Sequence, residues 1–108
     1  MQSKLTPNTL TDAATIAVDF NVSQNHTVTV AGNRTLTFAN GKAGQTYSVS
    51  ITQDATGSRL ITWPSTVKWA GGSAPTLTTT AARADQIHFY FDGTYYRDIA
   101  IAKNFNLA

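Results

Sequence analysis

The side chains here that could carry acid–base, nucleophilic or metal chemistry are two histidines, six aspartates and the serines; cysteine and glutamate are absent. His26 and His88 fall in separate alternating stretches, with no second ligand type close by. Zinc sites pair their ligands at short spacing, so two strand histidines are the plainer reading. Asp12, Asp54, Asp85, Asp92 and Asp98 sit at turns or strand ends, where a carboxylate bonds nearby backbone N–H groups. A carboxylate pair for glycoside hydrolysis forms only in space, but the local turns already account for Asp54 and Asp92. Ser65, His88 and Asp85 could be drawn as a nucleophilic triad, as in almost any chain holding these residues. No GxSxG and no phosphate-cradling glycine loop is present. The expectation is a protein without catalysis: no catalytic residues, no metal site, no cofactor.

The elements that would position such residues are strands. The chain has 108 residues, enough for one domain and one core. Threonine occurs 18 times and glutamate never, a balance that favours pleated, half-buried surfaces over helices. With no cysteine, nothing fixes a redox compartment. The net charge is +2, and the eight Lys and Arg are scattered without a run, so no nucleic-acid footprint is expected. No apolar run approaches the ~20 residues needed to cross a bilayer, and the N-terminus does not read as a secretory signal.

In chain order, residues 1–12 are polar, contain Pro7 and lack periodicity, so they read as an extended arm ahead of a single β domain over 13–108. Alternation then places Ile16, Val18 and Phe20 on one face, followed by His26, Val28 and Val30, by Leu36 and Phe38, and by Tyr47, Val49 and Ile51. Ala31-Gly32-Asn33-Arg34 is hairpin chemistry. The strongest strand covers 85–91, with Ile87, Phe89 and Phe91 inward and Tyr90 outward, and Asp92-Gly93 is the best hairpin signal. Residues 77–82 read as irregular. The predicted architecture is all-β: a single, mostly antiparallel β-sandwich, jelly-roll-like or a flattened barrel, with a short extended N-terminal arm.

Residues 53–75 organise the chain. They hold Trp63, Pro64, Trp69, Gly71 and Gly72: a strand stopped by proline, two large rings and a glycine pair that lets the chain reverse. Two indoles in such a loop suit a structural anchor, with both rings mostly buried, better than a ligand-stacking platform. Tyr90, Tyr95 and Tyr96 are the candidate interface or glycan contacts, since Tyr offers much contact area at low entropy cost. With so few charged residues, a subunit interface is preferred over a glycan surface.

The runs LTDAATIAVDF (10–20), HTVTVAGNRTLTF (26–38), QDATGSRLITWPSTVKWAGGSAPTLTT (53–79) and DQIHFYFDGTYY (85–96) resemble a small β domain of tailed-bacteriophage virion proteins. Such domains occur as tail-fibre or tail-tip modules and as small structural proteins of the particle. The resemblance implies a virion component, made in the host cytoplasm and carried on the particle surface. It also implies a homo-oligomer, with three subunits the best single expectation. The chain runs from Met1 to Ala108 without shaft repeats, which a free-standing copy would fit. The expected function is therefore a capsid decoration protein that stabilises the particle, with the major capsid protein as partner. The alternative is a tail-tip or tail-fibre module that binds host-surface glycan or protein. In the decoration reading the arm, with Lys4, Leu5, Pro7 and Leu10, is the capsid-binding element, held by a neighbouring subunit through backbone hydrogen bonds.

Overall fold

The computed structural model describes residues 5–107. Among them are nine strands: β1 (Asn8–Thr9), β2 (Thr15–Asp19), β3 (Asn25–Val30), β4 (Arg34–Ala39), β5 (Thr46–Gln53), β6 (Ile61–Thr62), β7 (Val67–Lys68), β8 (Arg83–Phe91) and β9 (Tyr96–Asn106), plus one 3₁₀ turn, Ala70–Gly72. They build two sheets, a six-stranded one in the order β1-β3-β5-β8-β9-β7 and a three-stranded one in the order β2-β4-β6. The inward rows expected from alternation face each other across this sandwich. Ile16, Val18, Phe20, Val28, Val30, Leu36, Tyr47, Val49, Ile51, Ile87 and Phe89 are all buried, while Phe38 and Phe91 pack against them half-buried.

Strand direction is a correction. The sheets are mixed rather than mostly antiparallel. β1, β3 and β5 run parallel, with Asn8 opposite His26 and Asn25 opposite Ser48. β2, β4 and β6 also run parallel, with Thr15 opposite Thr35 and Arg34 opposite Ile61. From β1 to β6 the chain alternates between the sheets, and each circuit adds one strand to both. Only β5–β8 and β8–β9 are antiparallel. Alternation fixes which side chains point inward, but it is blind to the partner strand and its direction. Residues 31–34 show the consequence. They do not fold back as a hairpin but carry the chain from β3 in one sheet to β4 in the other. Neither Gly32 nor Asn33 adopts a positive φ, which a two-residue hairpin of the expected kind would require.

The corners between sheets are held by polar side chains. Asp12, in the first corner, receives Arg34 from the second through two bonds, Nε to Oδ1 at 2.7 Å and Nη2 to Oδ2 at 2.8 Å, and accepts the Ala31 N–H. In the third corner Asp54 binds Arg59 in the same two-pronged way and also accepts the Thr56 and Gly57 N–H groups. Corner backbones then stack: Arg34 N–H donates to Leu60 O, Thr35 N–H to Ala14 O, and Leu60 N–H to the Asn33 side-chain oxygen. Buried Gln53 closes the same corner, accepting from Arg59 N–H and donating to Arg59 O. Among the described residues every buried side-chain nitrogen and oxygen has a partner, the condition for burying it at modest cost.

The hairpin expected at Asp92 and Gly93 does form. Asp92 N–H donates to Tyr95 O, Gly93 has φ +103°, and Asp92 Oδ1 accepts the N–H groups of Thr94 and Tyr95. Residues 77–80, within the stretch read as irregular, are coil and bend.

The arm belongs to this chain's own sheet. β1 pairs with β3, Leu10 packs on the core, Ser23 donates to Thr6 O, and Asn25 donates to Leu5 O. The β3 edge thus takes up the backbone of residues 8–10, one of the ways in which an ordered arm can be held.

Candidate binding surface

The residues with chemical potential are spread over separate environments. His26 is buried, with Nε2 donating to Ser23 O at 2.9 Å and Nδ1 accepting from Asn8 Nδ2 at 3.2 Å. Both bonds suit a neutral imidazole, and burial lowers its pKa. His88 lies on the outer face of β8 beside Gln86, whereas Asp85 is buried on the opposite face, accepting from Thr78 and Asn104 backbone N–H groups. The Ser65–His88–Asp85 triad is therefore not assembled. Among the described residues no group of three or more His, Cys, Asp or Glu is placed to hold a metal ion.

The tryptophan loop spans the sandwich. It leaves the edge of the smaller sheet at β6 and enters the edge of the larger one at β7. Trp63 and Trp69 meet edge to face at 5.3 Å, and both reach the ring of Phe89, at 5.8 and 5.7 Å. Both indoles are half-buried, packed on the core along one flank and open on the other. Pro64 O accepts the Val67 N–H, and Gly71 and Gly72 take φ +79° and +85° with open space around them. The loop thus both anchors and exposes its rings.

The three tyrosines divide. Tyr90 and Tyr95 are exposed, at 36% and 42%, but Tyr96 is 4% exposed and leaves the set of surface contacts. Its ring stacks on Phe91 at 4.2 Å, and its hydroxyl accepts the Gly41 N–H at 3.1 Å. Of two adjacent strand residues only one can face outward, and the parity of β8 and β9 gives the inward position to Tyr96. Of the proposed arm contacts, Leu5 and Pro7 are exposed, Leu10 is half-buried on the core, and Lys4 lies outside the described residues.

Two surfaces were not singled out from the sequence. The first is the outer face of the larger sheet. Its central cross-strand rows, Asn25–Ser48–His88–Ala100, Thr27–Ser50–Gln86–Ala102 and Thr29–Thr52–Ala84–Phe105, contain no Lys, Arg, Asp or Glu, whereas the row at the hairpin end, Thr46–Tyr90–Arg97–Lys68, carries two cations. Phe105 (44% exposed) and Leu107 (66%) border a shallow cleft of about 240 Å³ there. Alternation along the return strand could not have signalled it, because two register shifts put Arg97, Ala100, Ala102 and Phe105 on one face at uneven spacing. The second is a cleft of about 260 Å³ at the β7–β9 edge, between Lys68, Trp69, Ala70, Arg97 and Asp98. No local pattern announces it, because β7 and β9 meet only in space.

A search of curated proteins finds no match. A family model described as "Putative phage tail fibre C-terminal domain" matches residues 5–96. That span includes the winding, the tryptophan loop and the first antiparallel strand. The chain belongs to this family of phage tail fibre C-terminal domains, and is a virion-associated, tail-type structural module.

Proposed function

We propose that the chain is the terminal module of a phage tail fibre, associating with copies of itself and presenting its loop end to the host surface. The family match over residues 5–96 supports tail over capsid. Immunogold labelling of intact particles tests the location: label at fibre ends is expected, and label spread over the head would restore the decoration reading.

Self-association rests on the uncharged central rows of the larger sheet's outer face. A surface of Thr, Ser and Ala bordered by exposed Phe105 and Leu107 has the charge depletion of an interface core. Closed association through a symmetric ring would cover it, and three copies fit the resemblance to fibre proteins. Light scattering should give a trimer for the native chain and a monomer for Phe105→Asp. A native monomer at high concentration, or an unchanged trimer in the variant, would overturn this assignment.

A further inference from the structure

The cleft at the β7–β9 edge combines four chemical functions that no core role consumes. Lys68 and Arg97 are cross-strand partners that leave the outer face of the sheet with Tyr90, whereas Trp69 and Asp98 follow them on the side of Phe89, so the cleft straddles the sheet edge. The Lys68 ammonium lies 5.1 Å above the ring of exposed Tyr95 and has no carboxylate partner among the described residues. Arg97 gives one Nη2 bond to Asp92 at 2.7 Å and is otherwise open, its side chain 61% exposed. Trp69 forms one wall, its inner flank fixed by Trp63 and Phe89. Asp98 forms the other, with Oδ1 taken by the Ala70 N–H at 2.7 Å. That bond ties the 3₁₀ turn to β9, so the cleft has two fixed sides.

We infer that this cleft is a binding site for an acidic saccharide, specifically a hexuronic-acid residue. The inference rests on the reading that the module faces the host surface. The ring's C–H face lies on the Trp69 indole, as apolar sugar faces do on aromatic walls. Its hydroxyls donate to the remaining oxygen of Asp98. Its carboxylate accepts from Lys68, with the free edge of the Arg97 guanidinium as second donor. A neutral ligand would leave Lys68 unanswered, whereas a uronate carries its carboxylate and its apolar ring face on one residue. The two carboxylates near the cleft do not cancel the cations. Asp92 accepts two backbone N–H groups and Arg97, and Asp98 accepts Ala70 N–H, whereas Lys68 meets only a π-face. Lys68 and the free edge of Arg97 are thus the donors here that a ligand carboxylate meets without displacing an existing bond.

The test titrates the full chain, ¹⁵N-labelled, with an oligoglucuronate tetrasaccharide and with the matched neutral glucose tetrasaccharide. Binding of the acidic probe near millimolar strength is expected, with amide shifts confined to residues 66–71 and 95–99 and a change in tryptophan fluorescence. Lys68→Met should weaken it about three- to tenfold, and added salt should weaken it further. Asp98→Asn should weaken both probes alike, since it touches hydroxyls. Equal binding of the two probes, shifts mapping elsewhere, or no shift at about 10 mM probe would overturn the site. Labelled protein is scored in parallel on host cells. Adhesion without uronate binding removes this site but leaves the host-contact reading standing, whereas uronate binding without adhesion does the reverse.

Discussion

The winding from β1 to β6 and the hairpin of β8 and β9 bury the same kinds of side chain by opposite means. In the hairpin, one four-residue connection fixes the start of the ladder. Asp92 accepts two N–H groups from its own turn, Gly93 supplies the positive φ, and the turn sets the register from Phe91 opposite Tyr96 as far as the first shift, between Phe89 and His88. In the winding, strands that pair are separated in the chain by a strand of the other sheet, so no single turn sets a register. Specificity lies instead in the corners, where Asp12 reaches Arg34, Asn33 reaches Leu60 and Gln53 reaches Arg59. The lesson is that a parallel winding needs its polar corner residues as much as its apolar rows. The rows alone would allow strands to slip or to pair in the wrong sheet.

The largest expected effect separates the two regions by one substitution type. Gly57 closes the third corner at φ +74°, where an added Cβ would meet Thr79 O at 2.6 Å and Ala81 N at 2.8 Å, both backbone. Gly93 sits at φ +103°, with only the Ala43 methyl at 3.3 Å nearby. Gly57→Ala should therefore cost about 2–4 kcal/mol, combining an unfavourable φ with a clash that no side chain can relieve. Gly93→Ala should cost about 1 kcal/mol, mainly for the φ. Urea unfolding of both variants measures the difference. Equal losses would mean that the corner yields as easily as the hairpin.

Legibility in the sequence follows the same division. The inward rows and the Asp92-Gly93 turn were readable because each is written within a few consecutive residues. Parallel pairing was not, since Asn25 opposite Ser48 depends on what the intervening β4 does. Asp12 illustrates the gap. It reads as a turn residue, but its partner Arg34 lies one circuit later, and nothing near either residue announces the bond. Tyr96 is a similar case. Adjacent tyrosines guarantee that one faces inward, but which one depends on the turn geometry before them. The cleft at the β7–β9 edge was illegible for the same reason, as β7 and β9 meet only in space. The loop itself stood out by composition, because two indoles and two glycines in so short a stretch need a spatial reason.

A smaller effect probes the bond that ties the two regions together. Tyr96, first residue of β9, accepts from Gly41 N–H, which lies in the connection after β4. Tyr96→Phe keeps the ring stacked on Phe91 and removes only the hydroxyl. About 0.5–1.5 kcal/mol of stability should be lost, the usual range for one net hydrogen bond. Hydrogen exchange should quicken at Gly41 more than along β8, and uniform quickening would show that the bond is not local to the junction.

The gentlest perturbation is acid, and it should reach the winding before the hairpin. His26, in β3, has its pKa lowered from the ordinary 6.5, first by burial and against the pull of Ser23 O and of Asp19. Phe20 packs edge-on against its ring at 5.5 Å, and Asn8 caps Nδ1. A group whose folded pKa is depressed binds its proton more readily when unfolded. Between 6.5 and the lower folded value the unfolded chain is therefore favoured as pH falls, and below that value no further loss arises from His26. The carboxylates follow at lower pH. Asp12 is lowered from 3.8 chiefly by Arg34, Asp54 chiefly by Arg59, and Asp92 chiefly by the Tyr95 N–H. Each contributes stability present above 3.8 and lost as pH falls through its folded value. Thermal melts should thus show a shallow decline starting just below pH 6.5, followed by a steeper one below pH 4. His26→Gln should flatten the first decline, because a neutral amide can still donate to Ser23 O and accept from Asn8. Exchange at β1 amides should register this step while the β8–β9 ladder stays protected, since His26 lies in β3 and meets β1 through Asn8. If the hairpin instead opens first in mild acid, the winding is the sturdier region and the corners, rather than the turn, dominate the stability of the fold.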